Sequence, residues 1–226
     1  MIIKKIKLMS RKLDALEKTY ADQFQFPIVE RDVNRMDLQV GNSILSFNRA
    51  DMDTIPYYHF AIGIPSKCLQ QAKLWLSARA QILGRGNEKE FFYSYLAGAQ
   101  AVFFTDASEN IGELVSRRER PEFDDRAFSL KNLLGITEIG LPVNDVDSAR
   151  DQIAEAFGLQ DSVIKLPQFT AIGNFEGSID IVPVGRNWLP TEKGAALFPL
   201  EVTILGDEEK SFTLPDHPYT FHMVKE

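Results

Sequence analysis

With 226 residues, 44% of them apolar, the chain can bury a sizeable core, and a formal net charge of −7 without any run of Lys or Arg argues against a phosphate-binding surface and hence a nucleic-acid partner. The only cysteine, Cys68, excludes an internal disulfide and points to a reduced, cytoplasmic setting. The opening MIIKKIKLMSRK has no apolar run that could serve as a signal peptide or membrane span, so no membrane partner is expected.

Residues 1–9 alternate apolar and charged, as a half-buried strand does, and a helix is expected from Lys12 to Phe24 with Leu13, Leu16, Tyr20 and Phe24 on one face. FPIVERDV, RMDLQV and SILSFNR read as strands, the last two joined at Gly41-Asn42. The polar ADMDTIP is a connector. A second unit opens with the strand YYHFAIGI; its helix follows Pro65-Ser66, with Ser66 as the expected N-cap and Cys68 as a small buried residue, and ends near Ala80. GRGNEKE is a turn-rich excursion; AQAVFFTD and GELVSRR are strands joined by ASEN; Glu119 to Phe128 suits a linker. A third unit spans Leu133 to Val184. The irregular GRNWLPTEKGAALFP, an extra strand LEVTIL and an aromatic tail that packs back on the body complete the chain.

These elements repeat. The segments starting IKKIKLMS at Ile3, YYHFAIGI at Tyr57 and ITEIGLPV at Ile136 each run strand, amphipathic helix, further strands, and the first and third align without a gap. The expected fold is therefore α+β, three β-α-β-β-β units forming a cupped incomplete barrel plus an extra half, with an extra C-terminal strand. The divisions fall at residues 1–50, 57–119, 133–185 and, for the C-terminal loop, strand and tail, 186–226. Two slots recur in each unit, mid-first-strand and early last-strand, the latter three residues after Asn42, Asn110 or Gly177. They hold Lys5 and Leu45, then His59 and Glu113, then Glu138 and Asp180.

YYHFAIGIP, FFTDASENIGELVSRR and ITEIGLPVNDVDSA resemble the vicinal oxygen chelate superfamily, which includes glyoxalase I, bleomycin-resistance proteins and extradiol dioxygenases. The resemblance implies that two units pair into a cup and that the two slots of each hold a divalent ion: Zn, Ni, Mn or Fe. His59 and Glu113 match its metal-ligand slots. Glu138 would be a further metal ligand or the catalytic general base, and Asp180, between Ile179 and Ile181, is either a ligand or a solvent-facing residue. One imidazole and several carboxylates suit such an ion, while Lys5 repels a cation and Leu45 cannot ligate. Units one and two are the family's default pair; ligand chemistry favours two with three; pairing of unit three with its copy in a homodimer is a third arrangement.

Substrate contacts are expected from Tyr58, Phe103, Arg186 and Trp188. Of Tyr57 and Tyr58, and of Phe103 and Phe104, alternation sends one toward the cup and one toward the helices. Arg117 and Arg118 are expected to be solvated, and His217 or His222 could reach the cup. The activity implied is metal-assisted lyase or isomerase chemistry on a small-molecule substrate. Extradiol dioxygenation ordinarily wants two histidines where only His59 occupies a slot. The alternatives are a metal-free, bleomycin-resistance-like binder of an aromatic or apolar ligand, and a degenerate cup with an oligomeric or regulatory role.

Overall fold

The computed structural model describes residues 1–51, 53, 55–84, 92–94, 98–118, 127–159, 164–166 and 168–225. The expected linker at 119–126 and all of GRGNEKE beyond Gly84 lie outside them. The strands are β1 (Ile2–Ser10), β2 (Ile28–Arg31), β3 (Arg35–Val40), β4 (Ser43–Arg49), β5 (His59–Ile64), β6 (Gln81–Ile82), β7 (Phe92–Ser94), β8 (Gln100–Thr105), β9 (Ile111–Ser116), β10 (Gly135–Val143), β11 (Ile164–Leu166), β12 (Phe169–Asn174), β13 (Gly177–Pro183), β14 (Leu200–Leu205), β15 (Lys210–Thr213) and β16 (Tyr219–Val224). The helices are α1 (Leu13–Glu17), α2 (Leu69–Ser77) and α3 (Val146–Phe157).

The first expected helix is only partly α. After Glu17 the chain widens into a π-helical segment, Lys18–Gln23, which still buries Tyr20 against the core. In α2 the cap position falls to Cys68, which makes no side-chain cap bond, rather than to Ser66. The Cys68 thiol instead donates to the Pro65 carbonyl at 3.0 Å, and burial pushes its pKa up to about 12. Helix α3 follows its sequence signals: Asp145 accepts from the Ser148 N–H, Gly158 closes the helix at φ 61°, and Ala149, Ile153 and Phe157 form the buried stripe.

Units two and three share a sheet. Its order is β11-β12-β13-β10-β5-β9-β8-β6, with β7 also on β8. β5 and β10 meet antiparallel in register Phe60↔Ile139 and Ala61↔Glu138. The other sheet runs β15-β16-β14-β1-β4-β3-β2, joining unit one to the C-terminal strands. The extra strand LEVTIL is thus one of three, a helixless half that completes unit one. Ser43 ties the sheets: its hydroxyl donates to the Ile3 carbonyl at 2.6 Å and accepts from the Ile136 N–H at 2.9 Å.

Register also corrects one slot. Glu113 pairs with Ala61, two residues past His59, and Asp180 pairs with Gly140, two past Glu138. In unit one the residue paired two past Lys5 is Ser46, on Lys7. Its turn closes at Ser43, so counting from Asn42 falls one residue short, and Leu45 faces the helices in the main core. By the same rule the C-terminal half places Glu201 and His222, since His222 pairs with Thr203.

One large apolar cluster joins both sheets and the helices, and a smaller one of Ala61, Phe103, Ile111, Val115, Val182 and Trp188 lines the concave face of the β5–β10 sheet. Phe128, expected in a linker, packs edge-on against Trp75 at 5.8 Å. The two concave faces differ in burial. β5, β9 and β10 are buried at every position, whereas β14 and β16 alternate buried and half-buried. The second face is therefore open to water, and its slots are used up in ion pairs: Lys5 with Asp37 and Lys7 with Glu201, both at 2.8 Å. Among the described residues no helix is long and apolar enough to cross a membrane.

Candidate metal centre

The β5–β10 seam brings the slots of units two and three into one cup without a second chain. Unit three finds its partner in β5, so pairing with its copy in another chain is not how this cup closes. His59, Glu138 and Asp180 each present a ligand atom, all within 4.8 Å of one another. The imidazole has a defined orientation. Its Nδ1 lies 3.2 Å from the Ile111 carbonyl, a contact that only an Nδ1–H can make, so Nε2 carries the free lone pair toward the cup. Glu113 is wholly buried, with Oε2 3.6 Å from that Nε2. Asp180 does not face solvent; it is buried in the cup and accepts from the Ser178 hydroxyl at 3.0 Å.

Burial lowers the His59 pKa, opposed by Glu138 and the Ile111 carbonyl, and Arg186 lowers it further, which favours the neutral ring. Burial, and then the neighbouring Glu138, push Asp180 well above the usual carboxylate range. Two carboxyl groups close enough to contend for a proton, beside a neutral imidazole, form a donor set that a divalent cation would satisfy better than the proton does. The residues present fit such an ion.

Arg117 departs from the sequence expectation. Its neighbour Arg118 is exposed, but the Arg117 side chain is only 16% exposed and its Nη2 donates to Glu138 Oε1. Nη1 donates to the carbonyl of Phe175 at 2.9 Å and approaches that of Asn174 at 3.5 Å. It lies just past the end of β9, and SRR at a strand end carries no signal for which arginine turns inward.

Trp188 closes the cup. Its indole stacks on His59 at 4.9 Å and 30° and is 4% exposed. It lies over Gly140, where a Cβ would come within 2.4 Å of the ring. The loop that carries it is pinned at both flanks: Gly185 N–H to the Ala195 carbonyl at 2.7 Å, Trp188 N–H to the Lys193 carbonyl at 2.9 Å, Tyr57 hydroxyl to the Gly194 carbonyl at 2.6 Å, and Lys193 to Glu109 at 2.6 Å. A cis peptide joins Leu189 and Pro190. Phe103 stands on the other side of His59 at 6.4 Å, and the Arg186 guanidinium lies 5.4 Å from the Phe169 ring centre.

Tyr58 is elsewhere. It is Tyr57 that packs against the concave cluster, while Tyr58 joins the main core and its hydroxyl donates to the Pro199 carbonyl at 2.7 Å. Phe104 likewise turns to the helices, 5.3 Å from Phe24. His217 accepts from the Asn144 N–H at 3.2 Å, and His222 contacts Ser211 at 2.8 Å on the open sheet. Neither reaches the cup.

No family model and no curated protein matches the sequence. Solved structures do match. A Bacillus subtilis protein named "putative dioxygenase" superposes over 100% of this chain and 85% of its own, with TM-score 0.68 and 15% identity. Glyoxalase I from Zea mays superposes over 99% of this chain and 92% of its own, with TM-score 0.58 and 15% identity. The chain has the glyoxalase-like fold, shared with these structures over 99–100% of its length.

Proposed function

We propose that the chain binds one divalent ion in the cup between units two and three and uses it for lyase- or isomerase-type chemistry on a small molecule that offers two neighbouring oxygens. The observation that carries this reading is the convergence of His59, Glu138 and Asp180, all buried, with ligand atoms within 4.8 Å. His59 Nε2, Glu138 and Asp180 would hold the ion, with Glu113 beside His59 as a further donor. Such an ion supplies a Lewis acid that stabilises negative charge developing on a chelated oxygen.

The remaining chemistry belongs to the chain. Asp180 can hold a proton and hand it on, because burial and the neighbouring Glu138 carboxyl group disfavour its ionised form. Trp188 and Phe103 exclude water, which strengthens every electrostatic contact inside. Arg186 stands at the rim as a substrate contact. A single imidazole among carboxylates supports this chemistry over ring-opening dioxygenation.

The apolar wall of Ala61, Phe103, Ile111 and Trp188 supports a second reading, metal-free sequestration of an aromatic ligand. A cytoplasmic setting rests on the lone cysteine, and a homodimer is not required to complete the cup. Elemental analysis of untagged, chelator-free protein separates the readings. Near-stoichiometric zinc, nickel, manganese or iron, lost in Glu113→Ala and His59→Ala, is the expected result. No ion after soaking, together with a rise in Tm on adding an aromatic ligand alone, would favour the binding protein.

A further inference from the structure

The cup contains a fixed positive charge that a metal site does not need for ligation. Glu113, Glu138 and Asp180 carry a formal charge of −3 when all are ionised, as ligation requires. Arg117, only 16% exposed and bonded to Glu138, reduces it to −2, and His59 adds none. Arg186, half-exposed at the rim, is screened by water and is not among the groups held inside; for those, a divalent ion brings the charge to neutrality, the only inexpensive state for charges held out of water. The guanidinium cannot swing away freely, because Nη1 is held by the Phe175 carbonyl at 2.9 Å and an arginine is not deprotonated in a protein.

We propose that Arg117 is the positioning and valence-selecting residue of this site: it fixes one Glu138 oxygen, leaves the other for the ion, and sets the cup's charge to match a divalent rather than a trivalent cation. The proposal rests on the metal-binding reading above.

The test compares Mn²⁺ affinity, by calorimetry, with Tb³⁺ affinity, by terbium luminescence excited through Trp188, in wild type, Arg117→Gln and Arg117→Lys. Arg117→Met, which keeps the aliphatic stem, is the second neutral variant should Arg117→Gln fail to fold. Removing one positive charge a few ångströms from the ion favours the trivalent cation by one extra charge–charge interaction. The Tb³⁺ to Mn²⁺ affinity ratio should rise about tenfold or more in the neutral variants and stay near the wild-type value in Arg117→Lys. An unchanged ratio in the neutral variants, or the same shift in Arg117→Lys, overturns the assignment while leaving the metal site standing. Wild type that binds neither ion overturns the metal reading, and this assignment with it.

Discussion

Substituting Gly140 by alanine tests how Trp188 is seated. The added methyl would stand 2.4 Å from indole Cη2 and 2.8 Å from Cζ2, against ordinary contact from 3.4 Å. The ring must therefore retreat by 3.4 − 2.4, about 1 Å, and a rigid indole has no flexible end to yield. Its backbone is held by Lys193, so the ring tilts out of its stack on His59 rather than shifting bodily. Overpacking of this size costs about 1–3 kcal/mol, with Tm falling by about 2–4 °C per kcal/mol in a chain of this length. Trp75 and Trp188 are the two tryptophans; a Trp75→Phe background leaves Trp188 as sole emitter. Gly140→Ala in that background should lower the urea midpoint and red-shift the emission as water reaches the indole. A stability change within about 0.5 kcal/mol and an unmoved spectrum would refute the idea that Trp188 rests on Gly140 and closes the cup.

Three further outcomes follow from the site and its surroundings. Metal affinity should rise with pH. The Asp180 proton competes with the ion and is held well above the usual carboxylate range, so titrations at pH 5.5 and 8 should show weaker binding at the acid end, and equal affinities would count against Asp180 as ligand. Without metal the linkage reverses for stability. A carboxyl group whose folded pKa lies above its unfolded value loses stability as pH rises through that interval, so Asp180→Asn in chelator should be at least as stable as wild type at pH 8 while binding no ion; a clear loss of Tm would contradict this. On the open sheet, burial alone would raise the Asp37 pKa, but hydrogen bonds from Arg35, Lys5 and Ser46 outweigh it and hold the group far below its usual range. Its contribution is present above the unfolded carboxylate range and is lost progressively as pH falls from there toward the much lower folded value, so Asp37→Ala should cost about 1–2 kcal/mol at pH 7 and less at pH 3, read from denaturant midpoints at each pH.

The sequence made the units and most of the cup legible because the relevant residues break a pattern. His59 and Glu138 interrupt apolar strands that have no other reason to carry polar groups, and Glu113 and Asp180 each follow a turn residue, Asn110 or Gly177, by three positions. Which units share a sheet could not be read, since a β seam is set by pairing between distant strands, and β5 chooses β10 through contacts that no local window contains. The C-terminal half carries no such signal, because it lacks the helix that marks a unit. Asp180 is ambiguous in sequence because alternation assumes one wet face, and here Trp188 covers one face of β13 while the main core covers the other. Arg117 lay in plain view at a strand end, but its inward turn depends on the carbonyl of Phe175 and the carboxylate of Glu138, each supplied by unit three.

The nesting of the sheets has a consequence for how the molecule is made. β5 meets β10 across 139 − 60, or 79, positions, but β1 meets β14 across 205 − 2, or 203. At ribosomal rates of about 5–20 residues per second, β1 waits roughly 10–40 s for the strand that covers its free edge. Through that interval the nascent chain presents an open β edge, the surface on which chains pair wrongly with one another. Lys4, Lys5 and Lys7 lie on that strand, and charged side chains on an exposed edge disfavour pairing of one chain with another until β14 arrives.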